Sequence, residues 1–258
     1  MKALRSLVMA FSMFSRIPMP HIDWRPESMR YMFLAFPLVG LLIGLALWGW
    51  SWIAQTLPLG GVLFAAGCTA LPVLITGGIH LDGFCDTVDA LSSYGDHEKK
   101  LGILKDPHIG AFAMIYTVIY LLACVGCYSE LAITPALLIC LCAGLMLSRT
   151  VAGWAVVFWP NAKPDGLSRT FADGAQKRPV GIWLTAIAVL LLASAAYVQW
   201  CYAIALAAAC MLVPLWVRRV AIKQFGGVTG DIAGFTIQLT ELVMLIGLIA
   251  AQKLGGFS

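Results

Sequence analysis

The chain has 258 residues, of which 60% are hydrophobic and only 12% are charged, whereas an average soluble domain has about 25% charged residues. Its mean hydropathy is +0.87. This composition excludes a soluble globular protein, a disordered chain and a fibrous protein, and it favours a polytopic membrane protein. The formal net charge of +4 is better explained as a topology signal than by nucleic-acid binding, and no nucleic-acid partner is expected.

Seven apolar segments are long enough to cross a bilayer, which takes about 20 mostly apolar residues. They cover approximately Tyr31–Ile53, Gly60–Ile79, Ile109–Tyr128, Ala132–Trp159, Val180–Gln199, Cys201–Val217 and Ile232–Ala251. Only Tyr197–Tyr202 separates the fifth core from the sixth, which predicts a tight helical hairpin. Met1–Ser15 lacks a small-residue cleavage site and is expected to remain as a cytoplasmic or interfacial segment. We therefore predict an all-α, polytopic membrane bundle that forms a single domain over residues 1–258.

Lysine and arginine occur in alternate connections between these segments. The positively charged connections contain Lys2, Arg5, Arg16, Arg25 and Arg30, then Lys99, Lys100 and Lys105, then Lys163, Arg169, Lys177 and Arg178, and finally Arg218, Arg219 and Lys223. By the positive-inside rule, the N-terminus and these connections are cytoplasmic. Most acidic residues lie in or beside the same segments, so the polar chemistry is expected at the cytoplasmic face.

Three aspartates follow the second apolar segment at helical spacing. Asp82, Asp86 and Asp89 are four and three residues apart, which places them within about 60° on one helix face. Phe84 and Val88 fall on the opposite side. The pattern predicts an amphipathic helix with an acidic stripe at the cytoplasmic membrane surface.

The like charges of this stripe need a compensating partner. At about 6 Å and an effective dielectric near 20, each pair of carboxylates repels by roughly 3 kcal/mol. A hard divalent cation with oxygen ligands offsets that repulsion, and these carboxylates suit Mg²⁺ or Mn²⁺. Asp106, at the mouth of the next apolar segment, is a candidate for a further ligand. A solvated acidic interface without a metal is the simpler alternative.

A glycine-rich stretch, Phe225–Asp231, precedes the last apolar segment. Closely spaced glycines allow backbone N–H groups to approach an anion, and Asp231 would bind a metal or a ribose hydroxyl. An ordinary glycine turn with Asp231 as the helix N-cap explains the stretch equally well. Deeper in the same segment, Glu241 needs a partner, and Arg149 in the fourth segment is a natural one. Such a pair would be functional or purely structural.

Cationic residues near the acidic stripe are compatible with phosphate binding. Arg16, Arg169 and the pair Arg218-Arg219 are candidates, although positive-inside anchoring also explains them. A cytoplasmic metal site surrounded by cations suits phosphoryl transfer, in which a spare carboxylate takes the proton of an attacking hydroxyl.

Several motifs resemble those of the cobalamin synthase family, the adenosylcobinamide-GDP ribazoletransferases. The most specific is Gly77-Gly78-Ile79-His80-Leu81-Asp82-Gly83-Phe84-Cys85-Asp86-Thr87-Val88-Asp89, followed by Lys105-Asp106-x-x-Ile109-Gly110. Three further stretches agree in the same order, namely Ser15–Pro20, Phe36–Gly40 and Gly226–Asp231 with Glu241-Leu242. The resemblance covers nearly the whole chain.

The resemblance implies a Mg²⁺-dependent enzyme of the prokaryotic cytoplasmic membrane. It would join adenosylcobinamide-GDP to α-ribazole or its 5′-phosphate, form adenosylcobalamin or its 5′-phosphate, and release GMP. By matching position, the metal and base set would be Asp82, Asp86, Asp89 and Asp106, with the choice of the base left open. The candidate substrate-binding residues are Arg16, Lys105, His108, Arg169, Gly227, Thr229 and Asp231. A homo-oligomer and a complex with other corrinoid-pathway enzymes are both compatible with it.

One departure from the family pattern concerns phosphate binding. Many members have Ser-Arg where this chain has Pro107-His108. The phosphate contact of that arginine would therefore be missing, or it would be supplied by His108 or Arg169.

Two other classes of protein compete with this interpretation. A CDP-alcohol phosphotransferase also uses an aspartate-rich helix, but its pattern continues with Ala-Arg where this chain has Cys85-Asp86. A transporter would account for Arg149 and Glu241 inside apolar segments. However, the acids collect at one face, and no inverted repeat is visible.

Overall fold

The computed structural model describes residues 2–21, 29–162 and 166–255, so Arg25 and Lys163 of the predicted cytoplasmic segments lie outside it. The described part contains eleven helices, and its only β pairing is an isolated bridge between Asn161 and Val228. The helices are α1 (Lys2–Phe14), α2 (Met32–Thr56), α3 (Gly61–Thr76), α4 (Ile79–Ser92), α5 (His97–Ile103), α6 (Ala111–Glu130), α7 (Pro135–Phe158), α8 (Leu167–Gly174), α9 (Lys177–Val198), α10 (Trp200–Phe225) and α11 (Gly230–Gly255). The all-α prediction is confirmed.

Six of the described helices are long and apolar enough to cross a membrane, namely α2, α6, α7, α9, α10 and α11. The pair α3 and α4 would make a seventh span, but a bend of 97° separates them. Helix α4 therefore runs across the direction of α3 instead of continuing it. Large apolar side chains such as Val118, Leu122 and Leu190 are exposed on the outer helices, as expected where lipid covers them.

The predicted apolar segments match helices with small shifts at their ends. The tight hairpin is confirmed, because only Gln199 separates α9 from α10. The largest difference is α10, which continues past the predicted end at Val217 to Phe225. Arginine and lysine are good helix formers, so the helix continues through Arg218 and Arg219. Its last residue is Phe225, because the next residue, Gly226, has a φ of +78° and caps the helix.

The positively charged connections meet at one end of the bundle. Lys100 in α5 donates a hydrogen bond from Nζ to the Gln224 side chain at 2.7 Å, at the end of α10. The Arg16 backbone N–H donates to the Ile75 carbonyl at 2.7 Å, near the end of α3. These contacts are consistent with the alternation of charge along the sequence. The assignment of this end to the cytoplasm stays a prediction.

Helices α7 and α11 are the most buried of the six spanning helices. Between them, Arg149 forms the ion pair with Glu241 that the sequence predicted. Arg149 is 0% exposed and the Glu241 side chain 11% exposed. Arg149 Nη1 also donates to the Leu145 carbonyl at 2.9 Å, and Ser148 Oγ donates to Glu241 at 2.9 Å. The pair is thus held by a small polar network inside the bundle.

Candidate active site

The acidic helix α4 takes its direction from the two glycines that precede it. Gly77 and Gly78 have φ values of +67° and +81°, which side chains with a Cβ rarely tolerate. These values turn the chain sharply after α3. The aliphatic part of the Arg16 side chain covers Gly77, where a Cβ would lie 2.7 Å from Arg16 Cγ. Arg16 is thereby placed at the bend, close to the start of the acidic helix.

Helix α4 crosses the N-terminal end of α11 at very short range. A Cβ on Gly83 would lie 2.7 Å from the Asp231 carbonyl oxygen, and a Cβ on Gly234 would lie 2.9 Å from the His80 carbonyl oxygen. The two glycines therefore allow the helices to touch through their backbones. This crossing brings Asp231, which is distant in sequence, to the acidic stripe.

The carboxylates of α4 and α11 interact at this crossing. Partial burial raises the pKa of Asp86 from its ordinary 3.8 to about 7, and the negative charges of Asp82, Asp231 and Asp89 add to the rise. Asp82 is exposed, whereas Asp86, Asp89 and Asp231 are half-buried. The predicted stripe thus forms one electrostatic cluster with Asp231 as its fourth member.

Asp89 also faces the loop that precedes α6. The backbone N–H of Ala113 donates to Asp89 Oδ1 at 3.4 Å. Gly110 lies so close that a Cβ there would overlap the Asp89 carboxylate. Asp89 therefore links the acidic helix to the stretch that contains Lys105, Asp106 and His108.

Asp106 is paired with His108 in the same loop. Its Oδ1 accepts hydrogen bonds from the His108 backbone N–H at 3.0 Å and from His108 Nδ1 at 2.7 Å. These two bonds hold the pKa of Asp106 below its ordinary value. Both side chains are exposed, and Lys105 beside them is exposed as well. The structure therefore places these three residues in one accessible loop and leaves their contact with substrate a prediction.

The acidic cluster has the ligand chemistry of a Mg²⁺ site without its closed geometry. All four carboxylates offer the hard oxygen donors that Mg²⁺ prefers. Within the described residues, however, no three aspartate, glutamate, histidine or cysteine side chains are gathered closely enough to hold a metal ion. The donors fit the cation, and their side chains would have to converge to coordinate it.

The cluster makes the stability of the cation-free protein depend on pH. Between about pH 4 and pH 7 the folded protein keeps a proton on Asp86 that the unfolded chain has lost, because the pKa is raised only in the fold. Folding stability should therefore fall as the pH rises through this range. We expect the melting temperature in chelator to be lower at about pH 8 than at about pH 5, with a smaller difference for Asp86→Asn. If wild type and Asp86→Asn showed the same difference in melting temperature between the two pH values, this result would contradict the electrostatic cluster around Asp86.

The glycine-rich stretch before α11 is used mainly for packing. The N–H groups of Gly226, Gly227 and Val228 donate to the carbonyls of Ile222, Ala221 and Pro160, respectively. A Cβ on Gly227 would lie 2.4 Å from the Pro160 carbonyl oxygen. These three N–H groups are therefore engaged inside the chain rather than directed at an anion.

Thr229, and not Asp231, caps helix α11. The Thr229 hydroxyl oxygen accepts a hydrogen bond from the Ile232 backbone N–H at 3.2 Å and lies 3.2 Å from Asp231 Oδ2. The alternative in which Asp231 is the N-cap is therefore wrong. Asp231 lies in the first turn of the helix, where its carboxylate joins the acidic cluster instead.

A cavity of about 150 Å³ adjoins the acidic cluster. Asp82 and Asp231 line it together with the aromatic rings of Phe14, Phe33, Phe36 and Phe171 and with His80. Burial, with a smaller effect from the positive charge of Arg149, holds the pKa of His80 well below its ordinary value.

The sequence did not reveal this cavity. Its walls come from α1, α2, α4, α7, α8 and α11, and its apolar wall residues follow the ordinary apolar patterns of their own helices. His80 in particular lies off the acidic face, and its sequence position suggested only a structural or interfacial role.

Arg169 lies on α8, next to Ser168, which lines the cavity. Its Nε donates to Asp173 at 2.6 Å, and both side chains are about half exposed. The structure thus places Arg169 on the helix that borders the cavity but pairs its charge with a neighbour on that helix.

Comparison with known proteins identifies the family. The family model described as cobalamin-5-phosphate synthase matches residues 6–249. A protein of Lachnoclostridium phytofermentans named adenosylcobinamide-GDP ribazoletransferase is 39% identical over 252 residues, which cover 98% of this chain and 96% of the relative. Relatives with the same name from Pseudomonas putida and Clostridium botulinum are 35% and 30% identical, and the matches cover 88% and 93% of this chain and 90% and 95% of those proteins, respectively. No solved structure matches the chain. The chain therefore belongs to the cobalamin-5-phosphate synthase family and is an enzyme of cobalamin synthesis.

Proposed function

We propose that the protein joins adenosylcobinamide-GDP to α-ribazole or its 5′-phosphate, with adenosylcobalamin or its 5′-phosphate as the product and GMP as the leaving group. The observation that carries the proposal is the acidic cluster at the crossing of α4 and α11, in a chain that matches the family over residues 6–249. The name of these relatives, adenosylcobinamide-GDP ribazoletransferase, supports the donor and is the reason for proposing a ribazole as the acceptor. We also propose that the cluster lies at the cytoplasmic face of a prokaryotic inner membrane, in agreement with the positive charges of the connections around it.

In the proposed reaction, a ribose hydroxyl of the acceptor attacks the β-phosphorus of the donor. Its proton passes to a carboxylate of the cluster, and the bond from this phosphorus to the bridging oxygen of GMP breaks. A general base works best when its pKa lies near the working pH, so a carboxylate of the cluster that does not coordinate the cation would take this proton. Arg16 at the bend and Lys105, His108 and Arg169 around the cluster would bind phosphate oxygens.

We propose Mg²⁺ as the cofactor, held by Asp82, Asp86 and Asp89 with Asp106 and with Asp231 as an additional donor. The cation would neutralise the diphosphate and polarise its phosphorus. The residues of the chain would orient the hydroxyl and accept its proton. Contacts of Gly227 and Thr229 with substrate stay predictions, since the described structure uses both in packing and capping.

The direct test is the release of GMP by the purified protein in detergent or proteoliposomes. We expect GMP release from adenosylcobinamide-GDP that needs both α-ribazole and Mg²⁺, and we expect it to stop when a chelator is added. One molecule of the corrinoid product should form for each molecule of GMP that is released. A CDP-alcohol phosphotransferase would instead release CMP from a CDP-alcohol, and a transporter would move ions without any nucleotide.

A further inference from the structure

The cavity beside the acidic cluster has a size that suits one small ring system. Its volume is about 150 Å³. Sites for drug-sized ligands usually measure about 300–1,000 Å³. A corrinoid or a complete nucleotide is therefore too large for it, whereas a single fused aromatic ring fits.

The walls of the cavity suit a flat aromatic ligand. Phe33 lies edge-on to both Phe36 and Phe171, with centroid distances of 6.2 and 6.3 Å. Phe14 lies over Phe36 at 4.2 Å. The three phenylalanines at positions 33, 36 and 171 are buried. Aromatic rings prefer offset-stacked or edge-to-face neighbours, and these walls offer both ring faces and ring edges.

One residue that lines the cavity, His80, has a polar atom without a partner among the described residues. His80 is 4% exposed, and its Nε2 has no hydrogen-bond partner within the part of the chain that the structure describes. A buried polar group without a partner is destabilising, so this nitrogen is suited to a ligand. The other buried polar side chain of the wall, Ser168, already donates to Asn161 Oδ1 at 3.0 Å.

The two ends of the cavity differ in polarity. Asp82 is exposed, while His80 is buried two residues earlier on the same helix. The wall at Asp82 is therefore accessible and acidic, whereas the wall at His80 and the buried phenylalanines is shielded from solvent. A nucleoside would fit this gradient with its base inside and its sugar at the carboxylates.

We infer that the cavity is the subsite for the base of the acceptor nucleoside, an azole whose unprotonated ring nitrogen accepts a hydrogen bond from His80 Nε2. The inference rests on the proposed function, which supplies α-ribazole as the acceptor. The guanine of the donor is a poorer match, because its several donors and acceptors would be left unpaired against phenylalanine walls. With the base inside, the ribose hydroxyls lie at Asp82 and Asp231, where the proposed reaction needs them.

The test compares two ligands that differ at one atom. α-Ribazole and its indole analogue have the same shape, but the analogue has a C–H in place of the unprotonated ring nitrogen. We expect the wild-type protein to bind α-ribazole about tenfold more tightly than the analogue in calorimetric titrations. His80→Leu should bind both with equal affinity. His21→Leu, at an exposed histidine outside the cavity, should keep the wild-type ratio.

A second variant keeps the test decisive if His80→Leu fails to fold. Val156 lines the cavity from α7, away from the carboxylates, and Val156→Phe should fill the space that the base needs. We expect its affinity for α-ribazole to fall at least tenfold, while its affinity for adenosylcobinamide-GDP stays within twofold of wild type. An unchanged ligand ratio in folded His80→Leu, or unchanged α-ribazole affinity in Val156→Phe, overturns the inference.

Failure of the proposed function would give a different result. A wild-type protein that released no GMP with any acceptor would refute the reaction. The binding ratio of the two nucleosides is measured without turnover and tests the base subsite separately.

Discussion

Asp82→Asn should lower the rate of GMP release by about 10²–10⁴-fold while the protein still inserts and folds. Asp82 is exposed at the edge of the cavity, and its charge acts on Asp86 in the same cluster. An asparagine keeps the shape of the side chain but removes the negative charge and the ability to accept a proton. Because the side chain is exposed, its replacement leaves no buried cavity and should not destabilise the fold.

The measurement is the initial rate of GMP release at saturating adenosylcobinamide-GDP, α-ribazole and Mg²⁺. Glu98→Gln is the matched control, because it changes an exposed acid to an amide in the connection that follows the same helix. The control should keep activity within about twofold of wild type. Elution in size-exclusion chromatography and the melting temperature should match wild type for both variants. Full activity of a folded Asp82→Asn protein would contradict a role of this carboxylate in the reaction.

Glu241→Gln should be the most destabilising of the proposed substitutions, by about 3–5 kcal/mol. The change leaves the positive charge of Arg149 buried between α7 and α11 with its main counter-ion removed. Two further nitrogens of Arg149, Nε and Nη2, are already buried without a hydrogen-bond partner among the residues that the structure describes. The network therefore has no spare acceptor with which to replace the lost carboxylate.

The matched control is Glu130→Gln, which breaks an exposed ion pair with Lys253. Exposed ion pairs contribute about 0–1 kcal/mol to stability. The free energy of unfolding of this variant, measured in mixed detergent micelles, should therefore be close to that of wild type. Replacing both Arg149 and Glu241 with methionine should recover stability relative to Glu241→Gln, because no unpaired charge is left. A Glu241→Gln protein with wild-type stability and no activity would show that the pair serves the reaction rather than the fold.

The positions of the long apolar helices were predictable from the sequence because lipid imposes a strong and local constraint. A span has to be apolar over about 20 residues and satisfy its own backbone hydrogen bonds. The seven apolar segments therefore coincide closely with helices α2, α3, α6, α7, α9, α10 and α11. The pairing of Arg149 with Glu241 was also predictable, because each is a charged residue in an apolar segment and needs a partner.

The acidic stripe on α4 was predictable for a different reason. Asp82, Asp86 and Asp89 are close in sequence and share one helix face by periodicity alone. Asp231 was a candidate ligand, but its place in the cluster depends on the crossing of α4 and α11. That crossing rests on Gly83 and Gly234, and no local pattern shows that these two glycines face each other's helix.

Local regularity along the chain was enough to determine the helices, their apolar lengths and the acidic face, because each depends on residues that are neighbours in sequence. Tertiary packing decided the 97° turn of α4 relative to α3, the cap at Thr229 and the aromatic cavity around His80. These features join side chains from helices that are far apart in the sequence. Their geometry follows from close contact between backbones and rings, which helical periodicity does not record.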